Sequence, residues 1–355
     1  MKINKSEMGA LTFFLVRAFY IGITLNNLFN IAKQDSYVSI IIGFIIGFIP
    51  LIIIYYIFNY EPSLSLPKKN LKLFGNILGT IINIIIIWFT FFIILILFSN
   101  LVTFVYVQYL NKTPMLVISI VFIFAIVYVL IHDIKTICRL SMILFFFTVI
   151  LYLLSLIGLT TQISIDNFKP FLESNYLFKG TYSFITYNVL PLYLLLIIPK
   201  NNIDNKKFFK FITIFYIIAS ISLLIVLITT IGIFGIKLSN LYEYPEFQVL
   251  KYVSLIGLSA RIDGILIIQW IFDLLIFMII GMYFILETTK TMFKVNKHVY
   301  SIIIGILIVL LNEYITNNML INDLSINIIT HIIFIFISSL LVIIFISIKI
   351  KRYTH

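Results

Sequence analysis

The sequence predicts an all-α polytopic membrane protein of ten transmembrane helices, and three observations carry that prediction. The 355 residues are 62% hydrophobic and only 11% charged, against roughly 45–50% and 25% in soluble domains. Apolar stretches long enough to cross a bilayer recur along the whole chain, and basic residues are dense and sparse in alternate connecting segments. No stretch is polar enough to form a separate unit, so residues 1–355 are read as one transmembrane domain.

A hydrocarbon core about 30 Å thick needs roughly 20 apolar residues as a helix, the open-ended element that satisfies its own backbone there. Ten stretches qualify, near 8–30, 37–58, 75–107, 114–131, 140–161, 177–198, 209–236, 262–287, 298–316 and 326–348. The first contains Arg17 and lacks a small-residue cleavage site, which makes it a span and not a signal peptide. The lone Cys138 excludes an internal disulfide framework and a multi-cysteine metal site.

With the N-terminus inside, most of the 25 basic residues fall in cytoplasmic segments. Those on the other side are Lys33, Lys112, Lys169, Lys179, Lys237, Lys251 and Arg261. Retained loops carry the excess of Lys and Arg, so both termini are expected in the cytoplasm. The net charge of +11 is therefore topological. Its dispersal over many segments, with no cluster interleaved by aromatics, argues against nucleic acid as a partner and for the lipid bilayer. Two outer connectors, TTQISIDNFKPFLESNYLFKG and KLSNLYEYPEFQVLKYVSLIGLSAR, mix aromatics with charge. Each is expected to hold a short interfacial helix lying flat as a cap, with a disordered linker as the alternative.

Ten spans divide into two halves of five, approximately 8–161 and 177–348, and an odd half reverses orientation, as in transporters built from inverted repeats. Interrupted helices are expected at the first span of each half, spans one and six. Span one carries Gly22, Thr24 and Asn26 with Asn27; span six carries Gly180, Ser183, Thr186, Tyr187, Asn188 and Pro191. Amides and hydroxyls clustered in both are costly in lipid unless they face protein or water. They are read as lining a shared mid-membrane cavity, where a half-helix N-terminus offers N–H groups to the carboxylate of an amino acid. Close packing at Gly22 and back-bonding of the hydroxyls is the plainer alternative. Ser99, Asn100 and Thr103 of span three supply further polar groups at a suitable depth, with the same alternative.

Two charges lie deep. Arg17 is about nine residues, roughly 14 Å, into span one, and Asp273 about eleven residues, roughly 17 Å, into span eight. Each costs on the order of 3 kcal/mol at a helix centre, so an unpaired charge facing lipid is disfavoured. Arg17 and Asp273 are expected to face each other, the alternative being a protonated Asp273 in a wet crevice. Gln269 lies about 40° from Asp273 on the helical wheel, and Asp263 about 20° from Trp270, which gives span eight two polar stripes.

Tyr244-Pro245, a spacer, then Arg261-Ile262-Asp263 and Trp270 resembles the pattern of the spore germination permease family, the B-subunits of bacterial spore germinant receptors. That pattern runs aromatic-Pro, Arg-hydrophobic-Glu, Trp; Asp263 stands here for the usual Glu. Asn167-Phe168-Lys169-Pro170 looks like that family's Asn-x-x-Pro segment, and Arg17 matches no family position. The resemblance implies the amino acid-polyamine-organocation transporter superfamily, a leucine-transporter-like 5+5 inverted repeat and a place in the spore inner membrane. It also implies a germinant-sensing role beside a receptor A-subunit and a lipoprotein C-subunit. Tyr244, Pro245, Arg261, Asp263 and Trp270 carry over as motif positions that hold the outer cap against span eight.

The leading expectation is a sensor in which a small nutrient, an amino acid, shifts the conformational equilibrium of a transporter-like bundle. A working amino acid permease is the alternative. An enzyme is not expected: His132, His298, His331 and His355 are scattered without metal-ligand spacing, and no glycine-rich phosphate loop offers a cofactor site.

Overall fold

The computed structural model describes residues 2–157, 162–172, 174–204, 207–256, 263–316 and 330–353. Span one is two helices, α1 (Lys5–Arg17) and α2 (Leu25–Ala32). Asn4 and Glu7 close a reciprocal capping box at the start of α1, satisfying N–H groups that the first turn leaves free. Between α1 and α2 the backbone leaves the helix at Ile21 (φ −79°, ψ 130°) and Gly22 (φ 74°, ψ −13°). A 3-10 turn, Lys33–Asp35, reverses the chain into span two, α3 (Ser36–Ile46) and α4 (Phe48–Asn59).

Span three is α5 (Leu66–Gln108), bent at Gly75 (φ 78°) where the sequence places the start of the crossing. Spans four and five are α6 (Met115–Leu130) and α7 (Ile134–Ile157). Span six begins as α8 (Leu177–Phe184), widens to a π-helical turn over Ile185–Val189, then tightens to 3-10 turns over Leu190–Ile197. Pro191 gives the local reason: it has no N–H to offer the Tyr187 carbonyl, so the α-helical ladder cannot continue. Span six is thus interrupted by changes of pitch, whereas span one is unwound.

The chain continues through α9 (Phe208–Ser239), bent at Gly235, to α10 (Pro245–Ile256) in the connector between spans seven and eight. The last three spans are α11 (Asp263–Met292), α12 (Lys297–Thr316) and α13 (Thr330–Tyr353). Eight continuous segments are long and apolar enough to cross a membrane. The first, Lys5–Asn59, contains two crossings, and with the shorter α6 the described residues make ten. A two-residue parallel pair, β1 (Ile3–Asn4) with β2 (Ile203–Asp204), ties the segment after span six to the N-terminus.

The interrupted spans form the axis of the bundle. Of the crossing window of span six 89% is buried, against 22% for span five, and α1 is buried continuously from Glu7 to Arg17. Side chains such as Trp88, Phe124 and Phe147 are exposed on the periphery, as lipid-facing residues are. Contacts between spans come in pairs that exchange each span with the one five later. The packing of α1 on α9 is matched by that of α8 on α3. The Tyr152 hydroxyl of span five donates to the Ser222 carbonyl of span seven (3.0 Å), and Tyr56 of span two correspondingly meets Phe345 of span ten. The span one to span eight contact has its counterpart in Tyr193 and Thr90 of spans six and three, 2.7 Å apart. Such pairing is what an inverted repeat produces.

The two long connectors differ from the flat caps expected of them. The first has a 3-10 turn, Ile165–Phe168, among its described residues. It is fastened from both sides: Asn167 donates to the Gly232 carbonyl (2.7 Å), and Asp35 accepts the N–H groups of Leu172 (2.8 Å) and Ser174 (2.9 Å). The second does form a helix, α10, but Tyr244, Glu246, Phe247, Val249 and Leu250 are all buried in the bundle. Long-range hydrogen bonds and burial, neither visible in local composition, override the interfacial pattern.

Candidate functional site

The site begins with the backbone that Gly22 frees. An L-residue at φ 74° is strained, and a Cβ on Gly22 would stand 2.7 Å from Cε1 of Tyr244, so both conformation and space call for glycine. Unwinding leaves polar main-chain groups that must find partners inside the protein. The Asn100 amide donates to the Ile21 carbonyl (3.4 Å), and the Asn26 amide to the Gly22 carbonyl (3.4 Å) and to the Glu243 carbonyl. The N–H of Gly22 donates to Oε1 of Glu246 (3.2 Å). Tyr244 completes the ring by donating its hydroxyl to Oδ1 of Asn100 (3.0 Å).

Spans one and six meet across this break. The Asn188 amide donates to Oγ1 of Thr24 (3.3 Å) and to the Phe184 carbonyl (3.1 Å); the Asn27 amide donates to the Tyr187 hydroxyl (3.5 Å). Among the described residues, the buried hydroxyls of Ser99, Thr103, Ser183 and Thr186 and the amide Oδ1 of Asn188 find no hydrogen-bond partner. Buried polar atoms are rarely left unpaired. All five belong to spans three and six, beside the break in span one. The structure therefore brings Gly22, Thr24, Asn26, Asn100, Tyr187 and Asn188 into one hydrogen-bonded region.

Arg17 and Asp273 face each other, with Nε of Arg17 3.1 Å from Oδ2 and 3.3 Å from Oδ1 of Asp273. Nη1 of Arg17 also donates to Ser222 (2.8 Å), and the rings of Phe13 and Tyr152 flank the guanidinium. Both charges are buried, so each is compensated by the other at the C-terminal end of α1. Gln269 and Trp270 are buried as well, with Nε2 and Nε1 unpartnered. The Trp270 ring packs edge-on against Phe104 (4.9 Å), which also meets Tyr244 (4.7 Å).

Pro245 occupies the first turn of α10, where its missing N–H is harmless. Tyr244 thus reaches the break itself, in addition to the aromatic cluster of Phe104 in span three and Trp270 in span eight. Arg261 lies outside the described residues, and Asp263 is placed only as the first residue of α11.

Two residues escape sequence reasoning. Glu246, in the YPEF stretch, reads as an ordinary acid in the first turn of a helix. His331 of span ten stacks near Tyr182 and Tyr187 (5.9 and 5.2 Å between ring centroids), a contact only the fold reveals. Burial pushes the Glu246 carboxyl up to about 8, partly offset by the backbone N–H groups of Glu246 and Gly22.

A family model described as spore germination protein matches residues 9–320. The chain belongs to the spore germination protein family. It is 26% identical over 248 residues to "Putative spore germination protein YfkT" of Bacillus subtilis (strain 168), a match spanning 68% of this chain and 66% of that relative, just under two thirds. Among solved structures it resembles the Eremococcus coleocola manganese transporter in complex with an aromatic bis-isothiourea substituted compound. The TM-score is 0.66 at 12% identity, covering 96% of this chain and 78% of that one. A mutant of the same transporter gives a TM-score of 0.66 at 13% identity, with the same coverage. At that identity the likeness concerns the fold, which for this spore germination family member is the leucine-transporter-like architecture. Among the described residues, no group of three His, Cys, Asp or Glu side chains could hold a metal ion.

Proposed function

We propose that this protein is the transporter-like, nutrient-sensing subunit of a spore germinant receptor, and that it binds an amino acid at the break in span one. The observation that carries the proposal is the unwound Ile21–Gly22 pair, ringed by Asn26, Asn100, Thr24 and Asn188 at the junction of spans one, three and six. A carboxylate matches the Gly22 N–H at the entry to α2, the Thr24 and Leu25 N–H groups being taken by the Phe19 and Tyr20 carbonyls, while the unpaired oxygens of Ser99, Thr103, Ser183 and Thr186 suit an ammonium. Ligand binding favours one conformation of the bundle, and that shift is passed to an A-subunit and a lipoprotein C-subunit in the spore inner membrane. Both termini lie in the cytoplasm, where most Lys and Arg then fall.

The test is binding of L-alanine, L-valine, L-leucine and L-asparagine to the purified protein in nanodiscs, each beside its methyl ester. At least one amino acid is expected to bind and its ester, which lacks the carboxylate, to bind at least tenfold more weakly. Binding of none, or equal binding of acid and ester, overturns the reading. The transporter fold favours a second reading, a working amino acid permease. Accumulation of the same radiolabelled amino acid by proteoliposomes holding this chain alone favours the permease; binding without accumulation favours the sensor.

A further inference from the structure

The backbone N–H that the proposed function offers to a ligand carboxylate is already held by a carboxyl group of the protein. Glu246 is 2% exposed, accepts from Gly22 N–H through Oε1, and leaves Oε2 without a partner. Among the described residues, the ionisable groups facing it bring no free cation: Tyr20 between α1 and α2, and Tyr244 and Glu243 beside α10, are neutral or acidic, and the Arg17 guanidinium is taken by Asp273 and Ser222. A buried carboxyl with so few donors is an expensive choice for filling space, because a glutamine would supply the same acceptor without an ionisable group. The position is also anchored to the break by more than one contact. Glu243 accepts from Asn26, Tyr244 reaches Asn100, and Glu246 takes Gly22, so the N-terminal end of α10 sits directly over the unwound backbone.

From this geometry we infer that Glu246 is a resident occupant of the carboxylate subsite at the span-one break, which an arriving amino acid displaces together with the start of α10. The inference rests on the amino acid reading proposed above. Exchange is driven by the difference between the two acceptors. At neutral pH a carboxyl raised to about 8 is held mostly as the neutral acid, whereas the ligand arrives as a full carboxylate and accepts the stronger, charge-assisted hydrogen bond. Release of Glu246 frees α10, the element that joins spans seven and eight, and so converts occupancy into a displacement that a partner can read.

The experiment compares the wild-type protein, Glu246→Ala and Glu246→Gln in nanodiscs, using the four amino acids above. Removing the competitor is expected to tighten binding in Glu246→Ala by about tenfold, the worth of roughly one hydrogen bond. In the wild type, hydrogen–deuterium exchange of the α10 amides is expected to rise when the amino acid saturates. Equal or weaker binding by a folded Glu246→Ala protein overturns the inference, and so does α10 exchange that stays level or falls. If Glu246→Ala does not fold, the exchange measurement decides, with the isosteric Glu246→Gln confirming that the site still binds. Binding by wild type and Glu246→Ala with equal affinity removes only this inference; binding by neither removes the amino acid reading and this inference with it.

Discussion

A single glycine sets the break on which the site depends, and its two constraints can be separated by experiment. Gly22 has φ 74° and a Cβ there would meet Tyr244; Gly75 has φ 78° but open space within 4 Å. Gly75→Ala, at ψ 176° in a region essentially confined to glycine, is therefore expected to lose only the conformational term, about 1–3 kcal/mol. Gly22→Ala should lose a conformational term of its own and the clash as well, together with the proposed amino acid binding. Thermal unfolding of the two variants in the same detergent measures the difference, and equal losses would mean that Tyr244 yields without strain. Gly22 was legible in the sequence because it stands among amides in the first span of a half, where an inverted repeat places an interruption, although close packing was an alternative use. The partnership of Arg17 and Asp273 was legible too, since depth alone put both charges near the midplane. Glu246 was not, because it lies in a connector, and sequence gives the depth of a span but not of a loop that folds inward.

At the scale of elements, the connector before span six is held by a carboxylate that belongs to the turn between spans one and two. Asp35 is fully buried and accepts two backbone N–H groups, those of Leu172 and Ser174. Asn in its place keeps one oxygen acceptor but replaces the other with an amide that cannot accept. One N–H is then left unpaired, at about 1–3 kcal/mol. Asp35→Asn is accordingly expected to expose the connector, seen as faster chymotrypsin cleavage near Phe171 and Tyr176, while the spans stay protected. Unchanged cleavage would show that Asn167 on Gly232 suffices to hold it. The helices themselves were readable from composition and length, and the bend at Gly75 falls at the edge already assigned to span three. The form of the second interruption was not: Pro191 announces a defect, but whether the chain unwinds or changes pitch depends on the packing of its neighbours, and here almost every residue from Thr186 to Ile198 is buried.

For the whole molecule, the paired contacts between halves place two unlike polar contacts at corresponding positions, the Arg17–Asp273 ion pair on one side and the Thr90–Tyr193 hydrogen bond on the other. In transporters with discontinuous helices, the C-terminal end of a half-helix carries partial negative charge and commonly coordinates a sodium ion or a proton. In this protein the C-terminal end of α1 is Arg17 itself, whose guanidinium lies against the Asp273 carboxylate of span eight. A fixed cation thus neutralises both the helix end and the one span-eight carboxylate placed at that depth, so a mobile cation has no charge left there to balance. The proposed amino acid binding is therefore expected to be independent of sodium: Kd measured in sodium chloride and in choline chloride of equal ionic strength should agree within about twofold, less than 0.5 kcal/mol. A tenfold loss in choline would mean that a cation site exists elsewhere in the bundle, and that the Arg17–Asp273 pair only joins spans one and eight.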